Sequence, residues 1–113
     1  MQLTLENADA RFLLRGADGA SALVNERRLE RSFIVSPTQL LEDWPPVALE
    51  ALQPAVLLLG TGATLRFPVP AVLAACLTRG IGIEAMDNAA AARTFNVLAT
   101  EGRNVVAAFL ISP

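Results

Sequence analysis

The chain has no lysine, no histidine and no tyrosine, and it has one cysteine, Cys76. Each gap removes a class of chemistry. Without histidine there is no imidazole to act as a general base near neutral pH, and metal sites lose their commonest ligand. Without lysine there is no amine for a Schiff base, and without tyrosine no phenol for proton transfer. One cysteine excludes an internal disulfide and fits a reducing compartment. No cluster of cysteines or carboxylates replaces the missing ligands, so no metal and no other cofactor is expected. Long apolar runs are lacking too. Stretches such as "AVLLL" and "VVAAFLI" fall far short of the ~20 residues a membrane helix needs, and no membrane insertion is expected.

The start, "MQLTLENADARF", shows no basic segment leading into an apolar one, so a secretory signal is not expected and cytoplasm is the expected location. Eleven acids stand against nine bases, all arginine, for a net charge of −2. That balance gives no electrostatic case for a nucleic-acid partner. What is present is apolar: 53% of the 113 residues are hydrophobic. This is enough to bury a core in one compact domain, and a single domain over 1–113 is expected.

Hydrophobic rhythm divides the chain. Residues 1–36 are β-rich, with short runs "RFLLRG", "ASALVN" and "RSFIVSP" separated by turn signals at Gly16–Gly19 and Asn25–Arg28. The charges at Arg27, Arg28, Glu30 and Arg31 read as a solvated hairpin edge that discourages edge pairing. Residues 37–54 form a connector. Its "EDWPPVALEALQP" predicts a short helix with Pro46 in the first turn, ended by Pro54, and Trp44 as an anchor.

Residues 55–113 follow a strand, helix, strand, helix, strand order. "AVLLLG" has no polar alternation and suits a strand covered on both faces. "VPAVLAACLTRG" sets Val69, Val72, Leu73 and Cys76 on one helical stripe, with Gly80 as cap, so Cys76 reads as a core residue. "IGIEAM" and "NVVAAFLIS" are strands. "DNAAAARTFNVLATEG" is a helix opened by Asp87 or Asn88 and closed at Gly102. Right-handed crossovers then give a parallel β-α-β-α-β unit. The expected class is α/β, layered β/β/α, with N-terminal hairpins extending or covering the sheet.

The loop in "VLLLGTGATLRFP" invites a phosphate-binding reading, which fails on two counts. A Walker loop needs lysine, and the dinucleotide fingerprint meets Leu65 at its third glycine position. Moreover, no helix follows the glycines directly. A loop at the carboxyl end of a central strand remains, which is where open α/β sheets bind ligands. The expected ligand-binding residues are Gly60, Thr61, Gly62, Asp87, Asn88, Arg93 and Asn96, and no catalytic residue is assigned. The helical stripe Ala89, Arg93, Asn96, Thr100 has two readings. It is either a solvent face or one wall of a pocket for a small anion or a partner's carboxylate. Glu84 likewise reads either as a base desolvated in an apolar strand or as the ion-pair partner of Arg93 or Arg103.

In "LLLGTG", "GIGIEAMDNAAAARTFNVLATEGRNVVAAFLI" and the proline of "RFP" the chain resembles a known family. This is the small domain of unknown function shared by NADH:ubiquinone oxidoreductase complex assembly factor 3 and the adipogenesis-associated proteins. The resemblance implies an α/β fold with a β-hammerhead-like N-terminal part. It also implies that Gly60, Thr61, Gly62, Glu84, Asp87, Arg93, Thr94 and Asn96 hold signature positions. The family often has cysteine where Ala92 stands, so thiol chemistry at that position is not expected here. Eukaryotic members are mitochondrial and help assemble respiratory complex I, while bacterial members are largely uncharacterised. The role implied is a non-catalytic binding or assembly module that engages a protein partner or a second copy. The alternative is a small-molecule or anion-binding protein, or an enzyme, at the Gly-Thr-Gly loop, with Glu84 or Asp87 as base and Arg93 as anion holder.

Overall fold

The computed structural model describes residues 11–42, 54–65 and 80–112, together with Ala74 and Thr78. Among these the elements run β1 (Leu14–Ala17), β2 (Ala22–Val24), β3 (Arg27–Leu29), β4 (Phe33–Val35), β5 (Leu40–Leu41), β6 (Val56–Gly60), β7 (Gly82–Met86), α1 (Asn88–Thr100) and β8 (Val105–Phe109). They form a three-stranded sheet, β1-β2-β3, and a five-stranded sheet, β5-β4-β8-β6-β7. β6 lies between β7 and β8 and is parallel to both, whereas β4 runs antiparallel to β8 and β5 to β4. The fold is layered α/β, and its N-terminal strands both extend and cover the parallel sheet. The short helix expected around Trp44 and Pro46 lies outside the described residues, as does the stripe Val69, Val72, Leu73, Cys76. Ala74 and Thr78 of that second segment are helical, and the Thr78 hydroxyl donates to the Ala74 carbonyl at 2.7 Å.

The unbroken apolar strands follow from burial on two faces. On one face, Leu58 of β6, Val105, Ala107 and Phe109 of β8, and Phe33 and Val35 of β4 pack with Ala91, Ala92, Phe95 and Ala99 of α1. Leu14, Ala22, Val24 and Leu29 of the smaller sheet close the same cluster. On the other face, Leu57, Val106, Ala108, Ile34 and Ile81 form a second cluster. A strand so placed has no solvent side, and polar alternation would bury unpaired groups. Phe33 and Phe109, directly paired across β4 and β8, stack with ring centroids 5.0 Å apart.

The termini of α1 are set locally. The Asp87 carboxylate accepts from the Ala90 N–H at 2.8 Å, which makes it the N-cap. At the other end Gly102 has φ 77°; its N–H donates to Ala99 O, and the Arg103 N–H reaches Leu98 O at 3.0 Å. This double bond pattern around a left-handed glycine is the usual helix stop.

Three features depart from the sequence reading. Arg27 and Arg28, expected in a turn, belong to β3; the reversal is confined to Asn25-Glu26, with Asn25 at φ 52°. The charged edge expected there is nonetheless present, since both arginines are exposed and only Leu29 turns inward. A two-residue strand, β5, lies inside the expected connector. The Ser36 hydroxyl accepts from Thr38 and Gln39 N–H to start its turn, and Arg27 meets Glu42 at 2.6 Å beside it. Finally, Asn96 is not part of a solvent stripe. Its Oδ1 accepts from the Leu14 N–H at 2.8 Å and its Nδ2 donates to the Leu14 carbonyl at 2.6 Å. A bulge between Leu14 and Gly16 interrupts the β1–β2 ladder at this point, so Asn96 serves β1 as a one-residue substitute strand.

Removing that clamp leaves both main-chain groups of Leu14 part-buried without their partner. Asn96→Ala is expected to lower stability by about 1–3 kcal/mol in urea unfolding, and Asn96→Asp, which cannot donate to the carbonyl, to recover little of the loss.

Candidate functional site

The carboxyl end of β6 is organised by one buried polar side chain. Asn88, the first residue of α1, is fully buried. Its Oδ1 accepts from the Gly62 N–H at 3.0 Å, and its Nδ2 donates to the carbonyls of Asp18 at 2.9 Å and Leu110 at 3.0 Å. Its own N–H donates to the Gly62 carbonyl at 2.8 Å. One amide thus ties together the Gly-Thr-Gly loop, the β1–β2 turn and the segment after β8. Each bond satisfies a main-chain group that would otherwise face no partner.

The glycines follow from this arrangement. A Cβ on Gly60 would collide with Asn88 Oδ1 and stand 3.0 Å from Phe109 Cδ2. Gly62 has φ 103°, a conformation that side chains rarely adopt. The pair is therefore explained without a phosphate. Thr61 is fixed as well, its N–H donating to Met86 O at 2.9 Å and its hydroxyl to Thr64 O at 2.8 Å.

Above this floor opens a cleft of about 850 Å³, walled by Asp18–Ala20, Ser32, Thr61–Thr64 and Leu110–Ser112. Gly19 supports one wall, since a Cβ there would lie 2.9 Å from the Ala63 nitrogen. Ser32 supports another by accepting from the Ile111 N–H at 2.9 Å, and Ser112 N–H donates to Gly19 O. The charged group in the described lining is Asp18. Main-chain N–H donors of Ser21 and Ala20, and then the nearby Arg28 charge, hold its carboxyl below the ordinary carboxylate range.

Thr61 and Gly62 line the cleft, Gly60 and Asn88 bond to its lining residues from beneath, and Asp87 serves as the N-cap of α1. Arg93 and Asn96 are not among its lining residues. Arg93 is exposed and its side chain makes no hydrogen bond or ion pair among the described residues, and Asn96 is held by Leu14. Glu84 is exposed on β7 rather than desolvated, and it pairs with neither Arg93 nor Arg103. Asp18, Ser32 and the Leu110–Ser112 segment were not legible in the sequence as site residues. The "GADG" turn signal marked only a reversal, and nothing local shows that it meets residues from the opposite end of the chain. Among the described residues no group of Cys, Asp and Glu is arranged to hold a metal, and no helix is long and apolar enough to cross a membrane.

Residues 15–110 match the model of a family described as proteins of unknown function, DUF498/DUF598. The chain belongs to this family. It is similar to a Xanthomonas campestris protein, XCC1710, at 53% identity over 98% of this chain and 92% of that one, with a TM-score of 0.79. A Bordetella parapertussis protein is 33% identical over 93% of this chain and 99% of its own, also with a TM-score of 0.79. A Bordetella pertussis protein described as a Mth938-like domain is 29% identical over 89% and 86%, with a TM-score of 0.70. All three were structural genomics targets. No curated protein matches the chain. The layered α/β arrangement of sheets and helix is that of the Mth938-like domain.

Two outcomes follow. Asn88→Ala should reduce stability by about 2–4 kcal/mol, and Gly60→Ala should be destabilising alone yet cost less in the Asn88→Ala background, where the colliding oxygen is gone. A double-mutant cycle by denaturant unfolding reads this non-additivity. The lowered Asp18 carboxyl contributes stability that is present above the ordinary carboxylate pKa and is lost as pH falls through the lowered value. Asp18→Asn should therefore flatten the acid limb of the stability profile and leave its neutral slope unchanged.

Proposed function

We propose that this chain is a single-domain, non-catalytic binding or assembly module of the cytoplasm, comparable in role to the respiratory complex I assembly factors that its sequence resembles. In this reading a partner protein inserts a segment into the cleft at the carboxyl end of β6. The observation that carries the proposal is the construction of that cleft. Three chain segments distant in sequence are bonded to one buried amide and wall a recess of about 850 Å³ with short side chains and main-chain edges. An open recess lined mostly by short side chains, with Leu110 and Ile111 the larger ones, suits shape recognition, because little side-chain freedom is lost when it is filled. The hydroxyls and main-chain groups around it supply a few orienting hydrogen bonds.

The alternative, a small-anion site or an enzyme at the Gly-Thr-Gly loop, finds less support. Among the described residues the charged side chain of the cleft lining is the carboxylate of Asp18, and the arginine expected to hold an anion stands outside that lining. A carboxylate at the rim repels anions and favours a cationic or neutral visitor.

A photoactivatable residue introduced at Ala63, in the cleft wall, tests the proposal in the native cell. Glu101, at the far end of α1, serves as the control position. Cross-linking from Ala63 and not from Glu101 to one partner identified by mass spectrometry, with respiratory-complex subunits sought among the products, is the expected result. Adducts from Glu101 alone, or none from Ala63, would remove the cleft as a docking site.

A further inference from the structure

The described residues contain four sheet edges: β1 and β3 in the smaller sheet, β5 and β7 in the larger. A strand edge presents unpaired N–H and C=O groups and invites pairing unless something blunts it. Three of the four edges are blunted. β1 is bulged, and Asn96 occupies both outward main-chain groups of Leu14. β3 presents exposed Arg27 and Arg28. β5 is two residues long and lies beside the Arg27–Glu42 ion pair.

β7 differs. It is five residues long and keeps an unbroken register with β6 from Val56↔Gly82 to Gly60↔Met86, with no bulge and no proline. Gly82 N–H donates to Ala55 O, and Met86 O accepts from Thr61 N–H, so the even positions face β6. Alternation then turns the N–H and C=O of Ile83 and Ala85 outward. No described strand or loop pairs with them. Between these two stands Glu84, exposed.

We propose that the outer edge of β7 is a docking site for an extended segment of a partner protein, which adds a sixth strand and lays a lysine or arginine across Glu84. Main-chain bonds to Ile83 and Ala85 supply the pairing, and the side chain opposite Glu84 supplies the selection. The same carboxylate decides against a second copy of this chain as the occupant. Antiparallel self-pairing that engages Ile83 and Ala85 of both copies sets Glu84 against Glu84, with like charges about 5 Å apart. This surface is distinct from the cleft, so either proposal can fail without the other.

Two short synthetic peptides test it, both alternating valine and threonine, one with a central lysine and one with a central glutamate. Each is titrated into the nitrogen-labelled chain, and amide shifts and hydrogen exchange are followed. The lysine peptide is expected to shift the Ile83 and Ala85 amides saturably and slow their exchange. The glutamate peptide should bind about five- to tenfold more weakly. Glu84→Lys should invert that order, which a merely structural role for Glu84 would not do. Ala85→Pro, which lacks the outward N–H, should lose both peptides, and should this variant fail to fold, the inversion by Glu84→Lys decides alone. An order unchanged in Glu84→Lys, saturable shifts confined to residues around Thr61–Thr64, or no saturable shift with either peptide overturns the proposal. Concentration-dependent protection of Ile83 without peptide assigns the edge to a second copy and overturns it equally.

Discussion

The side-chain amide of Asn88 is the constraint around which the carboxyl end of the sheet is arranged. It sits where a helix begins, a strand ends and two loops pass, and it gives each a hydrogen-bond partner in a place that water does not reach. A buried amide satisfied at three points holds its neighbours in one geometry, because any displacement leaves a polar group unpaired in a poorly solvating interior. Gly60 has no side chain because Asn88 occupies its Cβ position, and Gly62 takes a left-handed conformation to turn its N–H toward the same oxygen. The cleft is a consequence. Its walls are the segments that this amide gathers.

A second amide does comparable work at the seam between helix and hairpin. Asn96 clamps the main chain of Leu14, and together with the bulge that follows it closes an edge that would otherwise be open. α1 is thus fixed twice, by Asn88 at its first turn and by Asn96 two turns later, and between these points its alanines and Phe95 fill the core. Small residues there let the helix approach both the sheet and β1. The polar bonds set the register and the apolar contacts supply most of the driving force.

Much of this was legible because it is encoded locally. A continuous apolar run identified β6 as covered on both faces, another marked β8 as a strand, Asp87 or Asn88 and Gly102 bracketed α1, and the absence of lysine ruled out a Walker loop. Other features were hidden for a physical reason. β3 reads as a turn because its charges face solvent and only Leu29 carries the core signal, and β5 is too short to show a period. The stripe containing Arg93 and Asn96 looks uniform on a helical wheel, yet Arg93 meets solvent and Asn96 meets Leu14. The difference lies in which face β1 covers, and spacing along the helix does not contain that information.

The sequence by itself determined the three strands β6, β7 and β8 and the helix α1, the layered α/β class and the family, since hydrophobic period, caps and the Gly-Thr-Gly signature are properties of neighbours along the chain. Only the tertiary structure decided what the glycines are for, which polar residues serve the fold, and which face a cleft. Those roles depend on contacts between residues far apart in sequence, such as Asp18 with Asn88 and Leu14 with Asn96. A hydrogen bond between distant segments leaves no periodic trace in either of them.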